Sequence, residues 1–175
     1  VVREDVADRE PKTWVFLLVG ALKGDKTELV VQKATELGVS RIGVFSSRYC
    51  AAYMNENKLE RLRRVAREAA KQCLRASVPR VEYYETLEDA LRAGEGCVTK
   101  LFACEFLPAG EGDIADMGAS VCAVVGSEGG FSQEEYAFAQ QLGYCGVSLG
   151  KRILRAETAA IALLAVIMHE AGELG

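Results

Sequence analysis

An apolar run of strand length passes directly into a glycine-rich loop in the sequence Val121-Cys-Ala-Val-Val-Gly-Ser-Glu-Gly-Gly-Phe-Ser132, and Glu135 follows closely. The apolar residues predict a buried strand, and the Ser132-x-x-Glu135 pattern predicts a capping box that begins a helix. Between them, three glycines within five residues permit positive φ and let the backbone approach a ligand closely. This loop on its own fits a tight turn equally well. It has neither the Gly-Lys-Ser/Thr ending of a nucleoside triphosphate loop nor the G-x-G-x-x-G spacing of a dinucleotide loop.

An alternation of apolar runs and amphipathic segments extends from this motif along the chain. We predict strands over residues 14–19, 41–46, 80–84, 97–103, 121–126 and 146–149, and helices over 26–37, 58–76, 86–93, 133–142 and 158–170. Asp25 and Glu28 fit a capping box for the first helix. The alternation predicts an α/β fold with a mainly parallel sheet covered by helices on both faces. Since ligands bind beyond the carboxyl ends of strands in such sheets, we expect the site in the loops after Ala103, Gly126 and Leu149.

The composition is that of one globular domain. The chain has 175 residues, of which 50% are hydrophobic and 26% are charged, and its mean hydropathy is +0.07. These values exclude a disordered or fibrous protein. The longest apolar run, residues 158–168, is much shorter than the ~20 residues that cross a bilayer, so no membrane span is predicted. Because that run is apolar nearly all round a helix, it needs cover from the core or from a partner subunit.

The thiols and the single histidine do not form a metal-binding pattern. The cysteines, at positions 50, 73, 97, 104, 122 and 145, show no C-x-x-C or histidine-paired spacing. We predict reduced thiols in a cytosolic protein rather than disulfides or zinc ligands. His169 has no cysteine or carboxylate at ligand spacing, so we expect no metal site.

Charge is distributed unevenly. The net charge is −4 and the pI is near 5.2, which argues against a protein that coats nucleic acid. Residues 58–80 nevertheless carry eight basic and two acidic side chains, whereas residues 81–116 carry two basic and nine acidic ones. One face of the molecule is therefore expected to attract phosphate while the rest repels it.

A second loop, Ser148-Leu-Gly-Lys-Arg-Ile-Leu-Arg-Ala-Glu-Thr-Ala159, follows a predicted strand and opens the apolar helix. It brings Lys151, Arg152 and Arg155 close to Glu157 at the end of the sheet where a ligand is expected. For this loop taken singly, a structural pairing of Arg155 and Glu157, with each other or with the helix terminus, explains these charges better than catalysis does.

The two loops together give the chain a family resemblance. From Trp14 to its end, the sequence resembles the RsmE-type family of the SPOUT superfamily, which use S-adenosylmethionine to methylate N3 of a uridine in 16S small-subunit ribosomal RNA. The resemblance rests on both loops, on Lys23-Gly24 with Glu36-Leu-Gly-Val39, and on Glu68-Ala-Ala-Lys-Gln-Cys-Leu-Arg-Ala-Ser-Val-Pro79. It covers nearly the whole chain in the same order.

The resemblance implies a C-terminal deep trefoil knot whose loops form the S-adenosylmethionine pocket, and a homodimer through the last helix. It implies that residues 1–10 are the remnant of a linker and 11–175 the methyltransferase domain, without the small N-terminal PUA-like barrel that members normally carry. The implied cofactor contacts are Leu101, Phe102, Glu105, Gly126, Ser127, Glu128, Gly129, Gly130, Ser148, Leu149, Gly150, Ile153 and Leu154.

Methyl transfer from a sulfonium is a direct displacement, so the protein needs to align donor and acceptor and to manage one proton. Uridine N3 is a weak acid that becomes nucleophilic when its anion is stabilised by positive charge. We predict this role for Arg155. Glu157 is expected to orient Arg155, or else to accept the proton; orientation ranks first because a paired carboxylate is weakly basic.

Several basic side chains are predicted to contact RNA phosphates, which position a nucleic acid without identifying its bases. These residues are Lys23, Lys26, Lys33, Arg64, Lys71, Arg75 and Arg152. A solvated helix face explains the basic stripe over residues 58–76 equally well.

Two other functions remain open from the sequence. One is 2′-O-ribose methylation of RNA by the same superfamily, and the other is a non-catalytic RNA-binding or dimerisation module that has kept the fold.

Overall fold

The computed structural model of the protein describes residues 9–108, 112, 114–115 and 117–175. Its strands are β1 (Trp14–Gly20), β2 (Arg41–Phe45), β3 (Arg80–Tyr84), β4 (Thr99–Ala103), β5 (Ser120–Val125) and β6 (Cys145–Val147). Its helices are α1 (Lys26–Glu36), α2 (Glu56–Gln72), α3 (Leu87–Ala93), α4 (Gln133–Gln141) and α5 (Ala156–Glu170).

The described strands form one six-stranded sheet in the order β3-β2-β1-β5-β4-β6, with every pairing parallel. The α/β class and the parallel sheet are thus confirmed. The register places Ala103, at the end of β4, opposite both Val125 and Val147. The carboxyl ends of β4, β5 and β6 therefore meet at one edge, which is where a ligand site is expected.

Helices cover both faces of the sheet, as β1 shows most clearly. Its alternate side chains Val15, Leu17 and Val19 pack with α1, α2 and α5 on one face. Phe16 and Leu18 pack with α3 and α4 on the other face. Because successive side chains of a strand point to opposite faces, a strand covered on both sides must be apolar throughout. This explains the continuous apolar run at the start of the chain.

Two helix starts differ from the prediction. Asp25 makes no side-chain cap hydrogen bond, and its φ of −96° and ψ of 7° are not those of an extended N-cap, so the predicted capping box at α1 is wrong. Glu28 instead forms an ion pair with Arg61 of α2, with 2.9 Å between Oε1 and Nε. Helix α2 begins earlier than predicted because Asn55 caps it, its side chain accepting the Lys58 N–H at 2.9 Å.

Helix α5 is covered on one side only. Leu163, Leu164, Ile167 and Met168 are fully buried in the core. On the opposite side, Val166 remains 40% exposed, and its neighbours Ile161, Ala162 and Ala165 are half-buried. The chain's own core therefore supplies only part of the cover that the apolar helix needs.

Residues 1–8 of the predicted linker lie outside the described residues. No helix in the described part of the chain combines the length and the apolar composition that a membrane span requires. Within that same part, cysteine, histidine and acidic side chains do not gather in groups that could hold a metal ion. The six cysteines are free thiols.

Candidate cofactor and RNA site

A cavity of about 410 Å³ lies at the carboxyl ends of β4, β5 and β6. This volume is in the range of small-molecule sites. Its walls come from the three loops that the strand ends predicted, together with Lys26 at the start of α1. The lining residues are Lys26, Ala103, Cys104, Glu105, Val125, Gly126, Ser127, Glu128, Gly130, Val147, Ser148, Leu149, Gly150, Lys151, Arg152, Ile153, Leu154, Arg155, Ala156 and Ala159.

The glycine-rich loop forms a tight cradle on one side of this cavity. Gly130 donates its N–H to the Ser127 carbonyl at 3.0 Å, and its φ is +66°. The positive φ favours glycine at this position, and a Cβ at Gly130 would displace the Glu105 carboxylate. The predicted capping box follows: Ser132 N–H donates to Glu135 Oε2 at 2.7 Å, and Glu135 N–H donates to Ser132 Oγ at 3.1 Å.

Three residues predicted to contact the cofactor lie outside the cavity wall. Leu101 and Phe102 are buried in the core on opposite faces of β4, and the Phe102 ring packs at a tilt against Phe131, with 4.2 Å between the ring centroids. The lining on this strand begins at Ala103, so cofactor contacts by Leu101 and Phe102 stay a prediction. Gly129 faces away from the cavity, because a Cβ there would lie 2.7 Å from the Tyr49 carbonyl oxygen.

The loop after β6 forms the opposite wall. Gly150 lines this wall with a φ of +99°, a backbone conformation that favours glycine. Leu149 and Leu154 are half-buried, whereas Ile153 is 88% exposed. Of the three apolar side chains predicted to contact the cofactor from this loop, Ile153 is thus the one left open to solvent.

Lys26 links two acidic residues beside the cavity. Its Nζ lies 3.3 Å from Glu128 Oε1 and 3.8 Å from Glu157 Oε2. Glu128 also accepts the backbone N–H of Lys23 at 3.0 Å. Burial alone would raise the pKa of Glu128, but the hydrogen bonds from Lys23 and Lys26 outweigh it and lower that pKa.

Glu157 does not pair with Arg155, so the prediction that it orients Arg155 is wrong. Its side chain is only 13% exposed, and its ion pair is with Lys26. Oε2 of Glu157 is buried without a hydrogen-bond partner among the described residues. Arg155 lies just before α5, is exposed, and lines the cavity. Lys26 reaches Glu157 because α1 packs against α5, a contact between residues far apart in sequence.

Cys104 lines the cavity, where its surroundings disfavour the thiolate form. Burial, with a smaller contribution from the Glu105 charge, raises the pKa of the Cys104 thiol to about 12. A thiol with that pKa stays protonated at neutral pH, and the thiolate is the reactive form.

The residues predicted to contact RNA differ in how exposed they are in the structure. Lys23, Arg64, Lys71 and Arg152 are exposed, Lys33 is half-buried beside Glu36, and Lys26 lies in the cavity wall. Lys71 forms an ion pair with Glu68.

Arg75 is enclosed and is therefore wrongly predicted as a phosphate contact. Its side chain is 5% exposed, and it donates to the carbonyls of Thr35 and Val39 and to the carboxylate of Glu10. The physical reason is that α2 ends at Gln72 and Leu74 adopts a φ of +60°, which turns the chain off the helical stripe.

None of the site residues predicted from the sequence lies in the segment between β2 and α2. Tyr49 of that segment packs against Gly129, and the Tyr49 carbonyl accepts a hydrogen bond from Ser127 Oγ at 3.4 Å. The interleaving of tyrosines with basic residues over 48–58 is the signal that could have indicated it.

Comparison with known proteins agrees with this geometry. A family model described as an RNA methyltransferase domain matches residues 9–168. The chain therefore belongs to this family of RNA methyltransferase domains.

Its relatives narrow the class further, and they confirm the RsmE-type resemblance. The ribosomal RNA small subunit methyltransferase E of Mesomycoplasma hyopneumoniae is 33% identical over 167 residues, covering 94% of this chain and 73% of the relative. The protein of the same name from Bacillus subtilis is 30% identical over 176 residues, covering 93% and 68%.

Solved structures show the same likeness in three dimensions. A ribosomal RNA small subunit methyltransferase E from Neisseria gonorrhoeae, bound to S-adenosyl methionine, has a TM-score of 0.84 and 31% identity over 94% of this chain and 69% of that one. A putative methyltransferase from Legionella pneumophila, in complex with the same cofactor, has a TM-score of 0.82 and 29% identity over 92% and 68%.

Proposed function

We propose that the protein uses S-adenosylmethionine to methylate small-subunit ribosomal RNA, at N3 of a uridine. The observation that carries this proposal is the three-loop cavity of about 410 Å³ in a chain whose relatives are small subunit methyltransferases, two of them solved with the cofactor. Ribosomal RNA as substrate implies that the protein works in the cytoplasm.

The residues of the cavity fit S-adenosylmethionine. The glycine cradle at Gly126 and Gly130 allows close backbone approach, and a side chain at Gly130 would fill it. Three carboxylates, those of Glu105, Glu128 and Glu157, lie in or beside the wall and suit a ligand that carries a sulfonium and an ammonium group. When bound, the cofactor supplies an electrophilic methyl group.

Arg155 is the cationic side chain that we assign to the uridine. It is exposed in the cavity wall, and it forms no ion pair in the part of the chain that the structure describes. Its guanidinium is therefore free to hold the negative charge that develops when N3 of uridine loses its proton.

Glu157 acts separately from Arg155 in this proposal. Lys26 holds its carboxylate in place, and Oε2 has no hydrogen bond to another described residue. A buried oxygen of this kind accepts a hydrogen bond from a ligand, because leaving it unpaired costs free energy. We assign Glu157 to a donor group of the cofactor or of the uridine.

Methyl transfer to 16S ribosomal RNA tests the function directly. We expect the labelled methyl group on N3-methyluridine after digestion to nucleosides, whereas label on a ribose 2′-oxygen would establish the alternative chemistry. Calorimetry should detect binding of S-adenosylmethionine, and absence of binding would favour the non-catalytic module.

Arg155→Ala tests the assigned residue. We expect methyl transfer to fall at least about tenfold while cofactor affinity is retained, because electrostatic stabilisation of the anion is lost. Lys151→Ala, which removes a neighbouring cation of the same wall, serves as the matched control. A smaller fall for Arg155→Ala than tenfold would refute the assignment.

We infer a C-terminal trefoil knot. Gly112, which lies between β4 and β5 in the sequence, is close to β6, since a Cβ at Gly112 would overlap the Gly146 carbonyl oxygen and lie 2.7 Å from Val147 Cα. Helix α5, which follows β6, packs against β5 and β1 in the middle of the sheet. A crystal structure tracing residues 104–119 continuously tests the knot, and a trace that leaves α5 outside that connection contradicts it.

We also infer a homodimer through the open face of α5. Val166 and its half-buried neighbours form an apolar strip that a second copy would cover.

The phosphate contacts in this proposal are the accessible cations Lys23, Arg64, Lys71 and Arg152. The family match over 9–168 supports treating residues 11–175 as one methyltransferase domain.

A further inference from the structure

The segment over residues 46–55, here called the tyrosine loop, lies against the outer side of the cavity's glycine cradle. Its backbone is held at several points. Ser127 Oγ donates to the Tyr49 carbonyl at 3.4 Å, and the Arg48 N–H donates to Glu135 Oε1 at 3.3 Å. Cys50 Sγ donates to the Ala21 carbonyl at 3.0 Å. The loop is thus fixed against the glycine cradle that forms one wall of the cavity.

The tyrosine loop leaves its two aromatic rings open to solvent. Tyr49 is 48% exposed and Tyr53 is 73% exposed, which makes Tyr53 the most exposed of the large hydrophobic aromatic side chains in the described part of the chain. Elsewhere the rings of Phe45, Phe102 and Phe131 are buried in the core. Because an exposed ring forgoes the stabilisation that burial gives, two of them on one loop indicate a surface that is covered by a ligand.

A cation accompanies each ring. The Arg48 guanidinium carbon lies 5.8 Å from the Tyr49 ring centroid, and Lys58 Nζ lies 5.9 Å from the Tyr53 ring centroid. Lys58 is fixed there because its Nζ donates to the Tyr53 carbonyl at 2.6 Å. Rings for bases beside cations for phosphates are the combination that binds unpaired nucleotides.

We propose that Tyr49 and Tyr53 form a stacking surface for unpaired RNA bases that flank the methylated nucleotide. This inference rests on the proposed function, since it concerns the same RNA. Paired RNA does not fit the surface, because an A-form helix stacks its bases on one another and hides their faces. The surface therefore selects a single-stranded segment and places it next to the cavity.

The test measures the Kd of a uridine-rich single-stranded RNA, and of an RNA duplex, by fluorescence anisotropy at several salt concentrations. For Tyr53→Leu we expect the Kd of the single strand to rise roughly tenfold, with unchanged affinity for the duplex. Tyr53→Trp should keep the affinity because it keeps a stacking ring. The salt dependence should stay the same in both variants because no cation is lost. The pair Tyr49→Leu and Tyr49→Trp should behave in the same way.

Two further variants serve as controls. Arg64→Glu should reduce the salt slope of RNA binding, because it removes a proposed phosphate contact and leaves both rings. Trp14→Leu removes an exposed ring, 40% accessible, at the amino end of β1, far from the carboxyl ends of the strands, and should leave the Kd unchanged. Thermal melting confirms that each variant is folded.

The possible results separate this inference from the proposed function. A Kd for Tyr53→Leu and Tyr49→Leu within about twofold of the wild type, or an equal loss with duplex RNA, overturns the stacking surface. If wild-type protein still yields N3-methyluridine in that case, the proposed function stands. A tenfold loss rescued by tryptophan supports the stacking surface even if product analysis finds a different methylated position.

Discussion

Arg75 shows how the environment of one residue determines its role. In the sequence it belongs to a run of basic side chains, yet its guanidinium lies among the carbonyls of Thr35 and Val39 and the carboxylate of Glu10. Lys71, one helical turn earlier, is 71% exposed. Two cations of similar position in the sequence thus serve different purposes, one holding the N-terminal segment to the core and the other facing solvent.

Replacing these two cations distinguishes their roles. Arg75→Ala should lower the free energy of unfolding by about 3 kcal/mol, because it leaves a partly buried carboxylate and two carbonyls without their donor. Lys71→Ala, the matched control, should leave it nearly unchanged. Urea denaturation measures both. Similar values for the two variants would contradict the structural role of Arg75.

Glu10 should make stability depend on acid pH. Burial alone would raise its pKa, but hydrogen bonds from Arg75 and Ser77 outweigh burial and lower the pKa from 4.5 to about 2. Since the folded-state pKa lies below the unfolded one, the stabilisation is fully present above pH 4.5 and is lost as the pH falls toward 2.

Denaturation across that pH range tests this linkage. The difference in unfolding free energy between wild type and Glu10→Gln should shrink steadily from pH 5 to pH 2. Glu88→Gln, at an exposed position in the first turn of α3, is the control and should show no comparable trend. A constant difference for Glu10→Gln would show that the carboxylate is not stabilised by its partners.

At the scale of elements, α5 combines two functions that its sequence does not separate. Its first turn holds Glu157 beside the cavity, next to Lys26, and its apolar length packs on the sheet with one strip left open. Glu157 lies beside the cavity because it is in the first turn of the helix. The apolar strip stays open because its side chains point away from the sheet. The cavity and the proposed dimer face therefore share one helix.

Val166→Glu tests the open strip of α5. We expect the wild type to be a dimer in light scattering, and the variant to raise the dimer dissociation constant by roughly a hundredfold, because an unpaired carboxylate would be buried at the contact. Gln140→Glu adds the same charge at an exposed position of α4 and should not change the mass. A monomeric wild type would refute the dimer.

At the scale of the whole molecule, the site depends on three strand ends being adjacent. Loops after β4, β5 and β6 and the start of α1 all contribute to one cavity. Binding a ligand there would therefore connect parts of the chain from Lys26 to Ala159 and stabilise the fold as a unit.

Thermal melting measures how much the bound cofactor stabilises the fold. With S-adenosylmethionine at about 100 times its Kd, linkage gives about 2.7 kcal/mol of stabilisation. For a chain of this size that corresponds to a rise in Tm of about 5 to 10 °C. Gly130→Ala should reduce the rise because its Cβ would overlap Glu105 at the cradle. An unchanged Tm in the wild type at saturating cofactor would contradict the proposed site.

Local patterns in the sequence were sufficient to predict the parallel sheet, the capping box at Ser132 and Glu135, and the three loops that line the cavity. These features follow from side-chain periodicity, glycine conformations and the rule for strand ends, all of which act over short stretches of chain. The sequence predicted only the fold class, a mainly parallel α/β sheet. It did not predict the order of the strands or which helices cover each face.

Contacts between residues that are distant in sequence could be identified only from the tertiary structure. Glu157 pairs with Lys26 and not with Arg155, and Arg75 pairs with Glu10. The tyrosine loop packs on the glycine cradle. The packing of the helices across the sheet determines which charged side chains pair and which aromatic rings stay exposed. Several packings are compatible with one periodic pattern of apolar residues. Contact energies between remote residues select among them, so these relations become visible only in three dimensions.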